Sequence, residues 1–226
     1  VHLTCGVAAL AGVIVLGKAN ISAQNESDED VSEIQIEGIP ASDTNGLYGG
    51  DDDADNSGVI SYISIRHGGS NIGDGNEING LTLGGVGTGT TISNVEVVAN
   101  QDDGIEWFGG TVSVSNVVVW NAGDDGLDTD QAWNGTCSDF IVVSPQGSLF
   151  ELDGPEGNYI NGNHKFSNGI AYVGDAGGKL VDFDANTNVD MEDIYFFGIE
   201  TEDVKVSEYA DMVAEAGGSV ANFEYT

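Results

Sequence analysis

Thr91–Val143 reads TISNVEVVANQDDGIEWFGGTVSVSNVVVWNAGDDGLDTDQAWNGTCSDFIVV. Three times in this stretch a small polar pair precedes a short apolar run: Ser93-Asn94 before Val95, Ser115-Asn116 before Val117, and Ser138-Asp139 before Phe140. The steps are 22 and 23 residues. Between the pairs, Gln101-Asp102-Asp103-Gly104-Ile105-Glu106 recurs 22 residues on as Gly123-Asp124-Asp125-Gly126-Leu127-Asp128. A period near 22 residues, built from β-type runs and Asn/Asp-Gly turns, is the signature of a solenoid. The phase extends upstream to Ser61-Tyr62 before Ile63 and Ser32-Glu33 before Ile34. Downstream it reaches Ser167-Asn168, Glu192-Asp193 before Ile194, and Ala221-Asn222 before Phe223. The spacings run from 22 to 32 residues, so the coil is constant and its loops vary. Surface insertions are tolerated in a solenoid because each coil touches only its neighbours.

Within the coil Asp102–Gly123 the pattern predicts three short strands, Ile105–Phe108, Val112–Val114 and Val117–Trp120, turning at Gly109-Gly110. A single coil cannot bury its apolar face alone; stacking does that. The expected fold is therefore all-β, a right-handed parallel β-helix of about 22–32 residues per coil, with residues 1–226 as one domain. Asn94, Asn116 and Asp139 form an expected structural turn row, since Asn and Asp tolerate the left-handed region and stacked side chains can bond along the axis. Large loops are expected at 41–58 and 144–166. One short helix is expected over 207–216, with Tyr209, Met212, Val213 and Ala216 on one face, Ser207 as its cap and Gly217-Gly218 as its stop. Both ends of the helix read as open, which suggests a piece of a larger protein or a subunit that stacks end to end.

The composition narrows the partners. Five basic residues against 38 acidic ones give a net charge of −33, which excludes nucleic acid and anionic membrane surfaces. The same charge favours divalent cations, cationic partners or plain solubility in a saline setting. Thirty-four glycines and three prolines suit many tight turns. No run reaches the roughly 18 apolar residues of a membrane span. Cys5 and Cys137 leave one disulfide open without fixing a redox compartment.

Residues 12–19, Glu37-Gly38-Ile39-Pro40, Asn56-Ser57-Gly58-Val59-Ile60-Ser61-Tyr62, Ile65-Arg66-His67-Gly68-Gly69, Gly75–Gly87 and Asn100–Glu106 form a further set of segments. Together they resemble a family of secreted Bacteroidetes surface proteins. The resemblance is dense over about residues 11–130 and thin after 155. It implies a right-handed parallel β-helix exported to the outside of the cell or its surface. The family carries no assigned reaction.

Three acidic constellations could hold a metal. The first is the pair of DDG corners, Asp102, Asp103 and Glu106 with Asp124, Asp125, Asp128 and Asp130. Stacked in register, these carboxylates would sit about 4.8 Å apart and repel unless a cation lies between them; hard oxygen donors of this kind favour Ca²⁺. The competing reading is a hydrated turn in which each Asp caps its own backbone. The same corners, as Asp102, Asp103, Asp124 and Asp125, resemble the acid/base carboxylates of polygalacturonase-like hydrolases. The Gly-His-Gly and Arg-x-Lys that accompany those carboxylates are missing. A lyase base would have to be Arg66, the only arginine, which reads better as a strand-end charge paired to a carboxylate. The second is Asp182, Asp184, Asn186, Asn188, Asp190 and Asp193, spaced like an EF-hand loop but with Thr187 where glycine belongs. The third is Asp51, Asp53 and Asp55, against a solvated charge run. Among the tryptophans, Trp133 in a loop-like setting is the expected outward platform for a sugar ring. The preferred function is a non-enzymatic module for adhesion, glycan binding or assembly at the cell exterior, with the polysaccharide hydrolase or lyase as its rival.

Overall fold

The computed structural model describes residues 12–69, 78–174, 178–199 and 206–225. The chain winds as a parallel β-helix with two seven-stranded sheets. The first sheet stacks Val13–Leu16, Leu81–Gly84, Ile105–Phe108, Leu127–Asp130, Phe150–Leu152, Val181–Phe183 and Val206–Ser207. The second stacks Val59–Arg66, Thr91–Val98, Val114–Trp120, Thr136–Val143, His164–Tyr172, Val189–Phe197 and Ser219–Tyr225. Every pairing within these two sheets is parallel.

The repeat sets the register. Ser61, Ser93, Ser115, Ser138, Ser167, Glu192 and Ala221 are neighbours on successive rungs. The residue after each is left-handed: Tyr62, Asn94, Asn116, Asp139, Asn168, Asp193 and Asn222 have φ between 55° and 57°. Along this row the Asn168 amide donates to Asp139, and the Asn222 amide donates to Asp193 at 3.0 Å. Two further left-handed columns turn the other corners. One holds His67, Ala99, Asn121 and Ser144; the other holds Gly85, Gly109 and Gln131. Only the first column carries the Asn/Asp composition that makes such a turn legible.

The core lies between the two sheets. Leu81, Leu83, Ile105, Trp107, Leu127, Phe150 and Phe183 point in from the first sheet, and Val95, Val117, Phe140, Val142, Phe166 and Phe196 from the second; all are at most 2% exposed. Phe166 meets Phe140, Phe150 and Trp107 edge-on, at centroid distances of 6.1, 5.4 and 6.2 Å. Such contacts between rings from different coils add to the backbone ladders that join one rung to the next.

Between Leu16 and Val59 the chain leaves the helix and crosses the outer face of the first sheet. This excursion carries two small antiparallel pairs, Ala23–Gln24 with Asp30–Val31 and Ile34–Gln35 with Leu47–Tyr48. The expected rung at Ser32-Glu33 is therefore not a rung: Ile34 pairs with Tyr48 instead. The loop expected at 41–58 contains a 3-10 turn, Thr44–Gly46, and the buried Tyr48. Ile21, Ala23, Ile36 and Tyr48 form a second apolar cluster with Phe108, backed by Ile14 and Leu16. Tyr48 OH donates to Gln131 Oε1 at 2.9 Å, and the Ser22 N–H to the Gln131 carbonyl at 3.0 Å. The excursion is thus a roof fixed to the outside of the sheet.

Three other expectations are corrected. Residues 144–166 are not one loop, because Phe150–Leu152 is a rung with Leu149, Phe150 and Leu152 fully buried. Its three residues are too few to show alternation between the turns on either side. The second and third strands expected per coil merge into Val114–Trp120, since left-handed Asn116 bends the ladder without breaking it. The helix runs Tyr209–Glu215; Glu208, not Ser207, is its cap and gives no side-chain bond, and Gly217 at φ 76° stops it. Of its apolar face only Met212 is buried. Cys137 is a buried free thiol, and Cys5 lies outside the described residues.

Candidate functional site

With Ile105, Trp107 and Leu127 pointing inward, the period of two forces Glu106 and Asp128 outward. The register places Thr82, Glu106, Asp128, Glu151 and Asp182 in one column on the outer face of the first sheet. Rungs lie about 4.8 Å apart, so four carboxylates stack directly over one another. At the corner before each strand, Asp103 and Asp125 form a parallel row. Asp103 Oδ1 accepts the Asp125 N–H at 2.8 Å, and Asp125 Oδ1 accepts the Ser148 N–H. Each DDG aspartate therefore caps the corner of the next coil. The glycine that follows is required by space: a Cβ on Gly104 would stand 2.4 Å from the Gly126 carbonyl, and one on Gly126 2.6 Å from that of Leu149.

The upper part of this face is buried. Asp103 is 7% exposed, and Glu106 and Asp128 are each 8% exposed. Glu151, Asp153 and Asp182 lie beyond it, half-buried, and Asp184 is exposed. Among the described residues two groups of carboxylates have ligand atoms all within 4.8 Å of one another: Asp102, Asp103 and Asp124, and the fully buried Asp103, Glu106 and Asp128. Beside the second group stands Asn79, 1% exposed. Its Nδ2 donates to Glu106 Oε2, while its Oδ1 is buried with no hydrogen-bond partner.

Among the described residues no lysine or arginine pairs with the buried group. The described basic side chains are engaged elsewhere: Lys18 with Glu33 at 2.9 Å, Arg66 with Glu96 at 2.5 Å, Lys165 with Glu192, and Lys179 with Asp182 at 2.5 Å. Arg66 is the paired strand-end charge the sequence suggests. Burial first, and then the neighbouring carboxylates, hold Asp103, Glu106 and Asp128 well above the usual carboxylate range. Asp130 is raised by burial and by Glu156. Burial, with a hydrogen bond to Asp125, pushes Glu151 up to about 9, and burial with Asp184 pushes Asp153 up to about 6. The face must keep its protons or hold a cation.

The other constellations fall apart in space. Asp182, Asp184, Asn186, Asn188, Asp190 and Asp193 run from the first sheet around a corner into the second, so they do not converge as an EF-hand loop does. Asp182 accepts from Lys179 and Ser207, Asn186 donates to the Pro155 carbonyl, Asn188 to that of Ala216, and Asp190 and Asp193 accept from Asn163 and Asn222. Thr187, at the glycine position, is fully buried on the Leu152 carbonyl. Asp53 accepts from Asn20, and Asp55 accepts from Ser57, as turn fastenings. Trp133 is corrected outright. It is 1% exposed, lies 4.6 Å from Trp107 in a stacked pair, and donates its indole N–H to the Val112 carbonyl at 2.9 Å. The polar neighbours Gln131 and Asn134 mask this burial in the sequence.

Glu151, Asp153 and Asn79 are the residues the sequence reading passes over. Their signal is present in phase: Asn79-Gly80-Leu81 matches Asp103-Gly104-Ile105, and Glu151 follows Asp128 by one rung. A family model of a pectate-lyase-like β-helix domain matches residues 6–176. No curated protein and no solved structure matches the chain.

Proposed function

The chain belongs to the pectate-lyase-like β-helix domain family, and from that premise we propose that it is a polysaccharide-engaging module of the cell exterior. In this reading the acidic face of the first sheet holds a divalent cation that stabilises the fold. The observation that carries the cation is the buried trio Asp103, Glu106 and Asp128 with the unpaired Asn79 Oδ1 beside it. Three carboxylates and an amide carbonyl are a hard oxygen donor set, which suits Ca²⁺. The ion would supply the positive charge that lets all three carboxylates ionise together. Location outside the cell is supported by the resemblance to secreted Bacteroidetes surface proteins; among the described residues no helix is long and apolar enough to cross a membrane.

Catalysis by Asp103 and Asp125 is disfavoured, because both are buried and capped onto backbone N–H groups. One observation favours a hydrolase as the second reading: Glu151 and Asp153 stand half-buried where the same face opens. There a protonated Glu151 could act as general acid. The test measures melting with Ca²⁺ and with chelator, together with reducing-sugar release from a polysaccharide panel. A rise in melting temperature with Ca²⁺, abolished in Asp128→Asn, and no sugar release support the module. Sugar release lost in Glu151→Gln selects the hydrolase. Melting indifferent to Ca²⁺ and to chelator removes the cation.

A further inference from the structure

The outer face of the second sheet is unlike the rest of the molecule. Register aligns Ile141, Ile170 and Tyr195 in one outward column, and Trp120, Tyr172 and Phe197 in the next with Val143 between the first two. Trp120 is 56% exposed, Ile141 40% and Ile170 42%. The rings make a continuous surface: Tyr172 and Phe197 lie 4.7 Å apart, and Tyr195 and Phe197 5.8 Å apart with planes 9° from parallel. In a chain of net charge −33 these two columns are uncharged over four rungs. Charges stand only at their ends, as the Arg66–Glu96 pair on one side and Glu224 beside Tyr195 on the other. Along one flank runs the left-handed row, whose Asn116, Asp139 and Asn168 side chains are exposed.

We propose that this face binds a neutral polysaccharide. The proposal deepens the polysaccharide-engaging reading, and rests on it, by naming the surface and the ligand class. Sugar rings present flat C–H faces to aromatic and aliphatic side chains and a rim of hydroxyls to amides. An apolar platform with a polar row beside it offers both. The frame of the platform measures about 14 by 7 Å from rung and residue spacings, far short of the roughly 800 Å² each partner contributes to a standard protein interface. A second copy of the chain would also bring −33 against −33. An acidic polysaccharide meets the same repulsion, which leaves a neutral one.

The reporter is built in, because Trp107 and Trp133 are buried and Trp120 is exposed. The experiment titrates the protein with soluble β-glucan and xylan, with polygalacturonate as the charged control, and follows acrylamide quenching of tryptophan. Expected is protection of the quenchable tryptophan by a neutral polymer only, with affinity falling about tenfold in Trp120→Ala and in Ile141→Ser while Trp120→Phe stays near wild type. Both altered sites are on the surface, and an unchanged melting temperature shows the variants are folded. Binding that survives Trp120→Ala and Ile141→Ser but is lost in Glu151→Gln moves the glycan to the acidic face; it overturns this surface and leaves the wider reading intact. Preference for polygalacturonate overturns the neutral class. A dimer in light scattering that Trp120→Ala dissociates overturns the proposal in favour of self-association. No binding to any polymer overturns both readings.

Discussion

Replacing Trp133 with alanine separates its two readings, platform and core. The indole is fully buried, stacked at 4.6 Å on Trp107, and in ring contact with His164 at 5.2 Å and Phe166 at 5.9 Å. Truncating a buried tryptophan to alanine costs about 3–5 kcal/mol in lost burial and cavity. The Val112 carbonyl, which accepts the indole N–H, loses its partner inside the core, which adds about 1 kcal/mol. The expected total is about 4–6 kcal/mol, a large part of the roughly 5–15 kcal/mol that holds a domain together. The assay is urea unfolding followed by far-UV circular dichroism, with wild type and variant extrapolated by the same slope. Trp133→Phe, which keeps a ring but loses the donor, should fall between them. A Trp133→Ala loss under about 1 kcal/mol would refute the packing argument and return Trp133 to the surface.

Four further outcomes are expected. In the presence of chelator, stability falls as pH rises, because the folded chain keeps protons on Asp153 to about 6 and on Glu151 to about 9, while the unfolded chain releases them near 3.8 and 4.5. Thermal melts at pH 5 and pH 8 read this. Asn116→Ala should cost about 1 kcal/mol for its left-handed backbone and Asn116→Gly close to nothing, measured by urea midpoints. Gly104→Ala should destabilise more than either, since the methyl has no room against the Gly126 carbonyl; its melting temperature checks this. Burial pushes the Cys137 thiol up, so in a Cys5→Ser background a thiol reagent should react only after denaturant is added.

The fold was legible because one corner of every coil advertises itself. Ser-Asn pairs mark the left-handed turn at Asn94, Asn116 and Asn168 and set the register of the second sheet, while the look-alike pair Ser32-Glu33 marks no rung. The other two corners mix turn residues such as Asn121, Gly85 and Gly109 with Ala99, Ser144 and Gln131 at positive φ, and the latter carry no turn signal, so these corners do not repeat legibly from coil to coil. The roof was illegible for a different reason: Ile34 and Ile36 alternate like a rung, and only tertiary packing on Phe108 shows that they serve the outer face. The DDG corners were found by their repeat, but their burial was not, because residues packed on Glu106, such as Asn79, lie far away in the chain. Trp133 failed as a surface residue because loop-like neighbours say nothing about which way one side chain points. The oxygen spacing from Asp182 to Asp193 failed because a calcium loop needs the chain to close on itself, and here it passes from one sheet to the other.

Carboxylates from neighbouring coils are proposed to meet on the outer face of the first sheet around one ion. Crystals grown with Mn²⁺ as a calcium surrogate test it through the anomalous signal of the metal. A single strong peak is expected among Asp103, Glu106, Asp128 and the Asn79 side-chain oxygen. A map with no peak there, the three carboxyl groups sharing protons with one another instead, would contradict it.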